Sequence, residues 1–191
     1  MDSIHLKQLL EKSQALLDGH FLLTSGLHSD RYIEKFRVLE DPNALDQVCQ
    51  AMAQVYSDQN VELVLGAAVG GILLAGGVGR HLGVRHIFTE RVDGEMALRR
   101  GFYIDPGTRV LIVEDVITTG GSVRELIDIC RKHSAEVVGV VNLVDRNENP
   151  LSFGVPTQTL LQLPVQSWTA EECPLCQQDI PFTSRGRSGK A

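Results

Sequence analysis

The stretch VLIVEDVITTGGS, residues 110–122, restricts the possible folds more than any other part of the chain. Four consecutive apolar residues at 110–113 predict a buried β-strand, and the threonine- and glycine-rich residues that follow predict a turn opening a helix. Strand and helix signals alternate through the central region in the order that gives a parallel sheet. We therefore expect one α/β domain over residues 1–191.

The end of this strand carries two acids, Glu114 and Asp115. The turn after it combines amides and hydroxyls that favour a bound phosphate. Its residues are Thr118, Thr119, Gly120, Gly121 and Ser122. Because carboxylates accept hydrogen bonds from sugar hydroxyls, the two acids beside such a turn indicate a sugar phosphate. An ordinary capped helix after an acidic strand end would also explain the turn, but it would leave the acids without a role.

A second small-residue turn, GAAVGG at residues 66–71, follows the predicted strand 61–65 and precedes a predicted helix over 72–82. Its Gly70 and Gly71 amides would face the same edge of the sheet, although close helix packing explains the glycines equally well. Further strands are predicted at 84–88, 136–144 and 155–163. Arg146 follows one of them, so we expect it in the same crevice at the carboxyl ends of the strands.

The amino-terminal region predicts an amphipathic helix over residues 4–17 and then a hairpin with strands at 21–23 and 31–33. The hairpin is rich in polar groups near its tip, and Ser25, Gly26, Tyr32 and Lys35 are candidate ligand-binding residues. A solvated hairpin with a half-buried tyrosine fits the same pattern. A further helix is predicted from the Asp41-Pro42 pair to about residue 57.

The segment RVDGEMALRRG, residues 91–101, breaks the strand pattern and contains three arginines. Arg91, Arg99 and Arg100 would give an anionic ligand the local basic cluster that the rest of the chain does not show. A charged insert between sheet strands is typical of a mobile lid, so we expect a lid over about residues 90–101.

Charge and hydropathy exclude several classes of protein. The net charge of −6 argues against nonspecific nucleic-acid binding, and no run approaches the roughly 20 apolar residues that a membrane span needs. The amino terminus lacks the basic-then-apolar layout of a signal peptide, so a cytoplasmic protein without a membrane partner is expected.

The four cysteines divide into two kinds. Cys49 and Cys130 fall in helical patterns, where a buried thiol is the expected role. Cys173 and Cys176 form a single C-x-x-C, but neither a second such pair nor a nearby histidine follows in the tail. We therefore expect no metal at this pair unless a second subunit supplies two ligands.

The acidic strand end with its Thr/Gly/Ser loop resembles the phosphoribosyl-pyrophosphate signature of the type I phosphoribosyltransferases. The segments FLLTSGLHSDRYIEKF, IFTER with LRRGF, LVDR and CPLC extend the resemblance over nearly the whole chain, to the members of that family that use orotate. The resemblance implies a five-stranded parallel sheet flanked by helices. It also implies a small hood from about residues 19–37 and 151–170 over the crevice.

The resemblance assigns a role to each candidate group. Glu114 and Asp115 would bind the ribose hydroxyls, residues 118–122 the 5-phosphate, and Gly70 and Gly71 part of the pyrophosphate. The lid arginines would neutralise the pyrophosphate together with Mg²⁺, which the substrate carries without direct protein ligands. Arg146, the Ser25-Gly26 backbone and Tyr32 would meet orotate. The implied reaction gives orotidine 5′-monophosphate and pyrophosphate, in a homodimer with shared active sites.

Three positions depart from the commoner family pattern, which has lysines before the Ser-Gly of the hairpin, in the pyrophosphate turn and in the lid. This chain has Thr24, Gly70 and a lid without lysine, and Lys35 is the nearest lysine in the hairpin. Arginine is always charged and is a poor proton donor, which puts a proton-donating lid in doubt. A phosphoribosyltransferase for another base, and a phosphoribosyl-pyrophosphate-sensing regulator without catalysis, remain alternatives.

Overall fold

The computed structural model describes residues 3–23 and 25–184. A six-stranded sheet forms its centre, in the spatial order β5, β4, β3, β6, β7, β8. These strands span Glu95–Leu98, Arg85–Val92, Leu63–Ala67, Arg109–Ile117, Glu136–Asp145 and Thr157–Gln162, in that order. Five of them are parallel, and only the edge strand β5 runs antiparallel to its neighbour. The predicted α/β fold with five parallel strands is confirmed.

Five helices accompany the sheet within the described ranges. They are α1 (Ser3–Lys12), α2 (Phe36–Leu39), α3 (Pro42–Val55), α4 (Gly70–Leu82) and α5 (Gly121–Lys132). One apolar cluster unites α1, α3 and α4 with the sheet, and a second unites α5 with it. The predicted start of α3 is confirmed, since the Asp41 carboxylate accepts hydrogen bonds from the Asn43 and Ala44 amides at 2.8 and 3.1 Å. Across the described residues, every helix is too short or too polar to cross a membrane.

A second, three-stranded sheet lies over one end of the domain, in the order β2, β1, β9. It combines the amino-terminal hairpin, β1 (Leu16–Leu22) and β2 (His28–Ile33), with β9 (Thr183–Ser184) from the end of the chain. His28 and Trp168 exchange backbone hydrogen bonds of 2.8 and 2.9 Å beside it. Trp168 and β9 therefore adjoin the hairpin, whereas residues 157–162 form β8 in the main sheet. The hood expected from about residues 19–37 and 151–170 stays a prediction.

The prediction of one helix over residues 4–17 was wrong at its carboxyl end. α1 ends at Lys12, and Gln14 adopts a positive φ of 53° in the turn that follows. Leu16 and Leu17 then pair with Ile33 and Tyr32 across the hairpin. Their apolar side chains suited either structure, and tertiary pairing with β2 decided between them.

The strand pattern does not break at Arg91 as predicted. β4 continues to Val92, a turn at Asp93 and Gly94 with positive φ reverses the chain, and β5 pairs back against β4. The segment was misread because an edge hairpin tolerates charged side chains and lacks the apolar run of a central strand.

Within the described residues, the tail holds a 3₁₀ turn at Cys176–Gln178 and the strand β9. Cys173 and Cys176 do have histidines beside them, because the fold brings His20 and His28 of the hairpin to within 4.8 Å of their sulfur atoms. Residues 185–191 lie outside the described part of the chain.

Candidate active site

A crevice of about 1030 Å³ opens at the carboxyl ends of the parallel strands, beneath the hairpin. It lies where β3 and β6 are neighbours, the point at which the strand order of the main sheet reverses and where ligands of such sheets bind. Eleven of the predicted site residues line it. They are Ser25, Tyr32, Lys35, Gly70, Arg91, Glu114, Asp115, Thr118, Thr119, Ser122 and Arg146.

The two acids of the strand end are both buried, with 7% of Glu114 and 4% of Asp115 exposed. Their backbone contacts hold them in place: Glu114 Oε1 accepts from the Asp115 amide at 2.9 Å, and Asp115 Oδ1 accepts from the Val116 amide at 2.6 Å. Burial, reinforced by the charge of Asp115, raises the pKa of Glu114 to about 8. When it carries a proton, Glu114 can donate as well as accept a hydrogen bond.

Lys35 provides the matching positive charge. Its Nζ lies 2.6 Å from Asp115 Oδ2, and 32% of the lysine side chain remains exposed to the crevice. The lysine follows β2, so the hairpin and the main sheet meet at this ion pair. Thr24, at one of the positions where family members commonly have lysine, lies outside the described residues. Lys35 thus places an ammonium group in the crevice, although this chain has no lysine at positions 24 and 70.

The loop from Thr118 to Gly120 connects β6 directly to α5. No described side chain caps α5, so the amides of its first turn are available to an anion. Gly120 has a φ of 74°, and a Cβ there would come within 2.7 Å of the Phe153 ring, so only glycine fits. This geometry is what a phosphate requires, and the hydroxyls of Thr118, Thr119 and Ser122 border the same crevice.

Asn147 lines the crevice and was missed by the sequence interpretation. Its amide nitrogen donates to the Thr118 carbonyl at 2.8 Å and to Asp145 Oδ1 at 2.7 Å, which ties the end of β7 to the phosphate loop. The only signal for it in the sequence is its place next to Arg146. A lone asparagine after a strand is too common to indicate a site.

Arg146 lies in the crevice near Tyr32, and burial lowers the pKa of its guanidinium group. Its Nε atom is buried and has no hydrogen-bond partner among the described residues. A buried donor without a partner is costly, because its desolvation is not compensated. Arg146, whose Nε atom lacks a partner there, is therefore a strong candidate for binding a ligand carboxylate.

The second small-residue turn also lies at the crevice. It ends in α4, whose first turn has no side-chain cap among the described residues. A Cβ on Gly70 would overlap Asp115 Oδ2, so the acid packs directly against the backbone there. That contact explains why this chain has no lysine at position 70. Gly71 is buried beside Gly66 and does not line the crevice. It lies in the first turn of α4, so its backbone amide belongs to the start of that helix.

The three lid arginines differ in position. Arg91 lines the crevice but is held by Glu125 of α5 at 2.8 Å. Arg100 pairs with Glu90 at 2.8 Å, and Arg99 is exposed without an ion-pair partner in residues 3–23 and 25–184. Neither Arg99 nor Arg100 lines the crevice, nor do Gly26, Gly120 and Gly121.

Comparison with known families agrees with this geometry. The model of the phosphoribosyl transferase domain matches residues 37–152, which include β3, β6, both glycine-bearing turns and Arg146. The chain belongs to the phosphoribosyltransferase family. The resemblance drawn from the acidic strand end and its loop is thereby confirmed.

Within that family, the chain is similar to two bacterial orotate phosphoribosyltransferases over almost its whole length. It is 46% identical to that of Caldicellulosiruptor bescii over 183 residues, covering 96% of each chain. It is 45% identical to that of Thermotoga maritima, covering 96% of this chain and 98% of the relative. Among solved structures, the orotate phosphoribosyltransferase from Aeropyrum pernix aligns with a TM-score of 0.67 and 27% identity, covering 82% of this chain and 93% of that one.

Proposed function

We propose that the protein transfers the ribose 5-phosphate of phosphoribosyl pyrophosphate to orotate, which gives orotidine 5′-monophosphate and pyrophosphate in pyrimidine nucleotide synthesis. The observation that carries the choice of base is the buried, unpaired Nε of Arg146. Orotate is a pyrimidine with a carboxylate, whereas the common purine bases and uracil are neutral. A partly desolvated guanidinium group favours the anionic base by charge-assisted hydrogen bonds. The similar sequences named above support the same choice.

In the reaction, the bond between the anomeric carbon and the pyrophosphate oxygen breaks, and a ring nitrogen of orotate bonds to that carbon and loses its proton to the leaving pyrophosphate or to water. The pyrophosphate leaves with the electron pair, so positive charge develops on the ribose. Glu114 and Asp115 lie where they would hold the ribose hydroxyls, and negative charge there stabilises the developing cation. A nearby cation also favours the ionised form of Glu114, so the stabilisation grows as the reaction proceeds.

Lys35 changes partner in this scheme. In this structure Lys35 Nζ lies 2.6 Å from Asp115 Oδ2, so the ammonium group neutralises the carboxylate. Ribose hydroxyls binding to Asp115 release Lys35 toward the departing pyrophosphate, where it acts as a charge partner. Unlike arginine, it can also donate a proton. This role compensates for the absence of lysine at positions 24, 70 and 91–101.

Mg²⁺ is part of the proposal. Mg²⁺ is usually bound by one or two carboxylates together with substrate phosphates and water. Three carboxylate residues line the crevice, Glu34, Glu114 and Asp115. Asp115 and Glu114 would approach a substrate-bound ion through its waters. When bound, the ion neutralises the charge that accumulates on the pyrophosphate.

A homodimer with shared sites is also proposed. Arg99 is exposed outside the crevice of its own chain. Val69, which lines the crevice, and Leu73, near the start of α4, have exposed apolar side chains. A second copy covering them would bring a lid arginine toward the neighbouring site. The reaction partners are water-soluble anions, and a cytoplasmic location belongs to the same proposal.

The direct test mixes purified protein, Mg²⁺, phosphoribosyl pyrophosphate and equal amounts of orotate, uracil, adenine and hypoxanthine, and quantifies every nucleotide product by mass spectrometry. We expect orotidine 5′-monophosphate alone, with one pyrophosphate released per product. Preferential consumption of another base would overturn the proposed acceptor. Binding of phosphoribosyl pyrophosphate without any product would favour the sensing alternative.

Shared sites have their own test, in which an Arg99→Ala/Arg100→Ala variant is mixed with an Asp115→Asn variant and allowed to exchange subunits. Half of the dimers are then mixed, and one site in each mixed dimer is intact, so activity should return to about one quarter of the wild-type value. If each active site is built within one chain, the mixture should regain no activity.

A further inference from the structure

Four side chains outside the crevice converge on one point between the hairpin and the tail. His20 lies in β1, His28 begins β2, and Cys173 and Cys176 lie in the tail. Their ligand atoms all lie within 4.8 Å of one another. Both cysteines are free thiols, and His20, His28 and Cys173 are buried, while Cys176 is half-buried. We call these four residues the Cys–His cluster.

The distances within the cluster approach those of a tetrahedral metal site. Cys173 Sγ lies 3.5 Å from His20 Nε2, and Cys176 Sγ lies 3.3 Å from His28 Nδ1 and 3.8 Å from His20 Nε2. With Zn–N bonds of about 2.0–2.1 Å and Zn–S bonds of about 2.3 Å, a regular tetrahedron has N–S edges of roughly 3.5 Å. The distance of 2.7 Å between His20 Nε2 and His28 Nδ1 is clearly shorter than the N–N edge of roughly 3.3 Å in such a site, because the two rings share a hydrogen bond there.

The surroundings hold the histidines in the orientation that a metal requires. His20 Nδ1 lies 2.7 Å from the Ile180 carbonyl, to which it can donate, and in that tautomer Nε2 carries the lone pair that a metal would use in place of the contact with His28. A backbone carbonyl in this position is a common partner of zinc-binding histidines. The Phe182 ring packs edge-on against both imidazoles, with centroid distances of 5.7 and 5.2 Å, and shields that side from water.

We propose that the Cys–His cluster binds one Zn²⁺ as a structural site. Two thiolates and two imidazoles form a donor set typical of structural zinc, and four protein ligands leave no position for a substrate. A hydrogen-bonded histidine pair alone would explain two of the residues. It would not explain why two thiols lie against the buried ring nitrogens.

The ion would connect segments that are distant in sequence. It would tie β1 and β2 to the tail, next to the short pairing of β1 with β9 and the bridge between His28 and Trp168. The same hairpin carries Leu23, Ser25 and Leu27 into the wall of the crevice. Zinc would therefore fix the hood in position above the catalytic groups without touching the substrate.

The first test needs no variant. The full-length protein, purified in reducing buffer and passed through a column with a chelator too weak to extract structural zinc, should retain about one zinc per chain. X-ray absorption at the zinc edge should give two sulfur ligands at about 2.3 Å and two nitrogen ligands at about 2.0–2.1 Å. Zinc well below one per chain, or an oxygen-rich shell, would overturn the proposal.

Variants then assign the ligands. Cys173→Ser and His20→Gln should each lose most of the bound zinc, whereas the matched controls Cys130→Ala and His133→Gln should keep it. Should the ligand variants fail to fold, wild-type protein loaded with Co²⁺ provides the same information through the visible bands of tetrahedral cobalt and its thiolate charge-transfer absorption. Equal zinc content in ligand and control variants would contradict the assignment.

A disulfide between Cys173 and Cys176 is the competing outcome. Thiol titration of denatured, zinc-free wild-type protein should find four thiols, as in the structure. If protein purified without reductant contains only two free thiols and no zinc, the two tail cysteines form a redox-active disulfide pair and the metal-site proposal is wrong. These measurements do not depend on which base the enzyme uses, so failure here leaves the proposed function untouched.

Discussion

The crevice at the end of β6 and the Cys–His cluster are both compact groups of polar side chains, but they are built in opposite ways. Most of the side chains and amides that we propose for binding phosphate and ribose come from the nine consecutive residues 114–122. The cluster joins side chains 156 positions apart, from His20 to Cys176. The first therefore has a complete sequence signature, whereas only half of the second, the C-x-x-C of Cys173 and Cys176, is visible in the sequence. The difference also separates the expected roles, since one region performs chemistry and the other holds the hood in place.

Replacing Asp115 by Asn should show the catalytic side of this contrast most strongly. We expect kcat to fall by about 10²–10³-fold, because the variant loses a negative charge where positive charge develops. The melting temperature should change little, since Lys35 is one-third exposed and can be rehydrated. Steady-state kinetics and thermal unfolding measure the two effects. Asp128→Asn on the exposed face of α5 is the control, and a large loss of stability with nearly normal kcat would make Asp115 a structural acid.

Arg146→Gln should change recognition of the base and leave the donor site intact. A charge-assisted hydrogen bond contributes about 1.5–3 kcal/mol, so the KM for orotate should rise by about 10–100-fold. The KM for phosphoribosyl pyrophosphate should stay near its wild-type value. Arg131→Gln, an exposed arginine of α5, is the matched control. Equal changes in both KM values would remove Arg146 from the base subsite.

Removing zinc with a strong chelator should affect stability and hood position. We expect the melting temperature to fall by on the order of 10 °C, because a tightly bound ion stabilises only the folded chain. The KM for orotate should rise more than that for phosphoribosyl pyrophosphate, since the hairpin covers the base end of the crevice. Readdition of Zn²⁺ should restore both values. An unchanged melting temperature would show that zinc at the Cys–His cluster does not stabilise the hood.

Glu114 should give the folded chain a pH dependence of stability. Its pKa is raised to about 8 in the folded chain, so the folded state keeps a proton that the unfolded state releases. The free energy of unfolding should therefore decrease for the wild type, relative to Glu114→Gln, as the pH rises from about 5 to about 8, by at most about 1.4 kcal/mol per pH unit. Urea unfolding at several pH values measures this, with Glu11→Gln as an exposed control. Parallel curves for wild type and Glu114→Gln would show that Glu114 titrates normally.

The sequence predicted the parts whose signal is local. The five parallel strands, the acid pair and the loop at residues 118–122 each have an apolar run or a turn motif that specifies them. Asn147, the Lys35–Asp115 ion pair and the Cys–His cluster depend on contacts between distant segments, which no local pattern encodes. The strand at Arg91 was missed for a related reason, since an edge hairpin is stabilised by pairing and needs no apolar run.

A crystal structure with orotate and an unreactive analogue of phosphoribosyl pyrophosphate tests the central claim most directly. We expect the orotate carboxylate within about 3 Å of the Arg146 guanidinium group, the ribose hydroxyls at Glu114 and Asp115, and the 5-phosphate on the amides at the start of α5. Orotate bound away from Arg146, or a sugar phosphate that leaves the two acids without contact, would contradict the account.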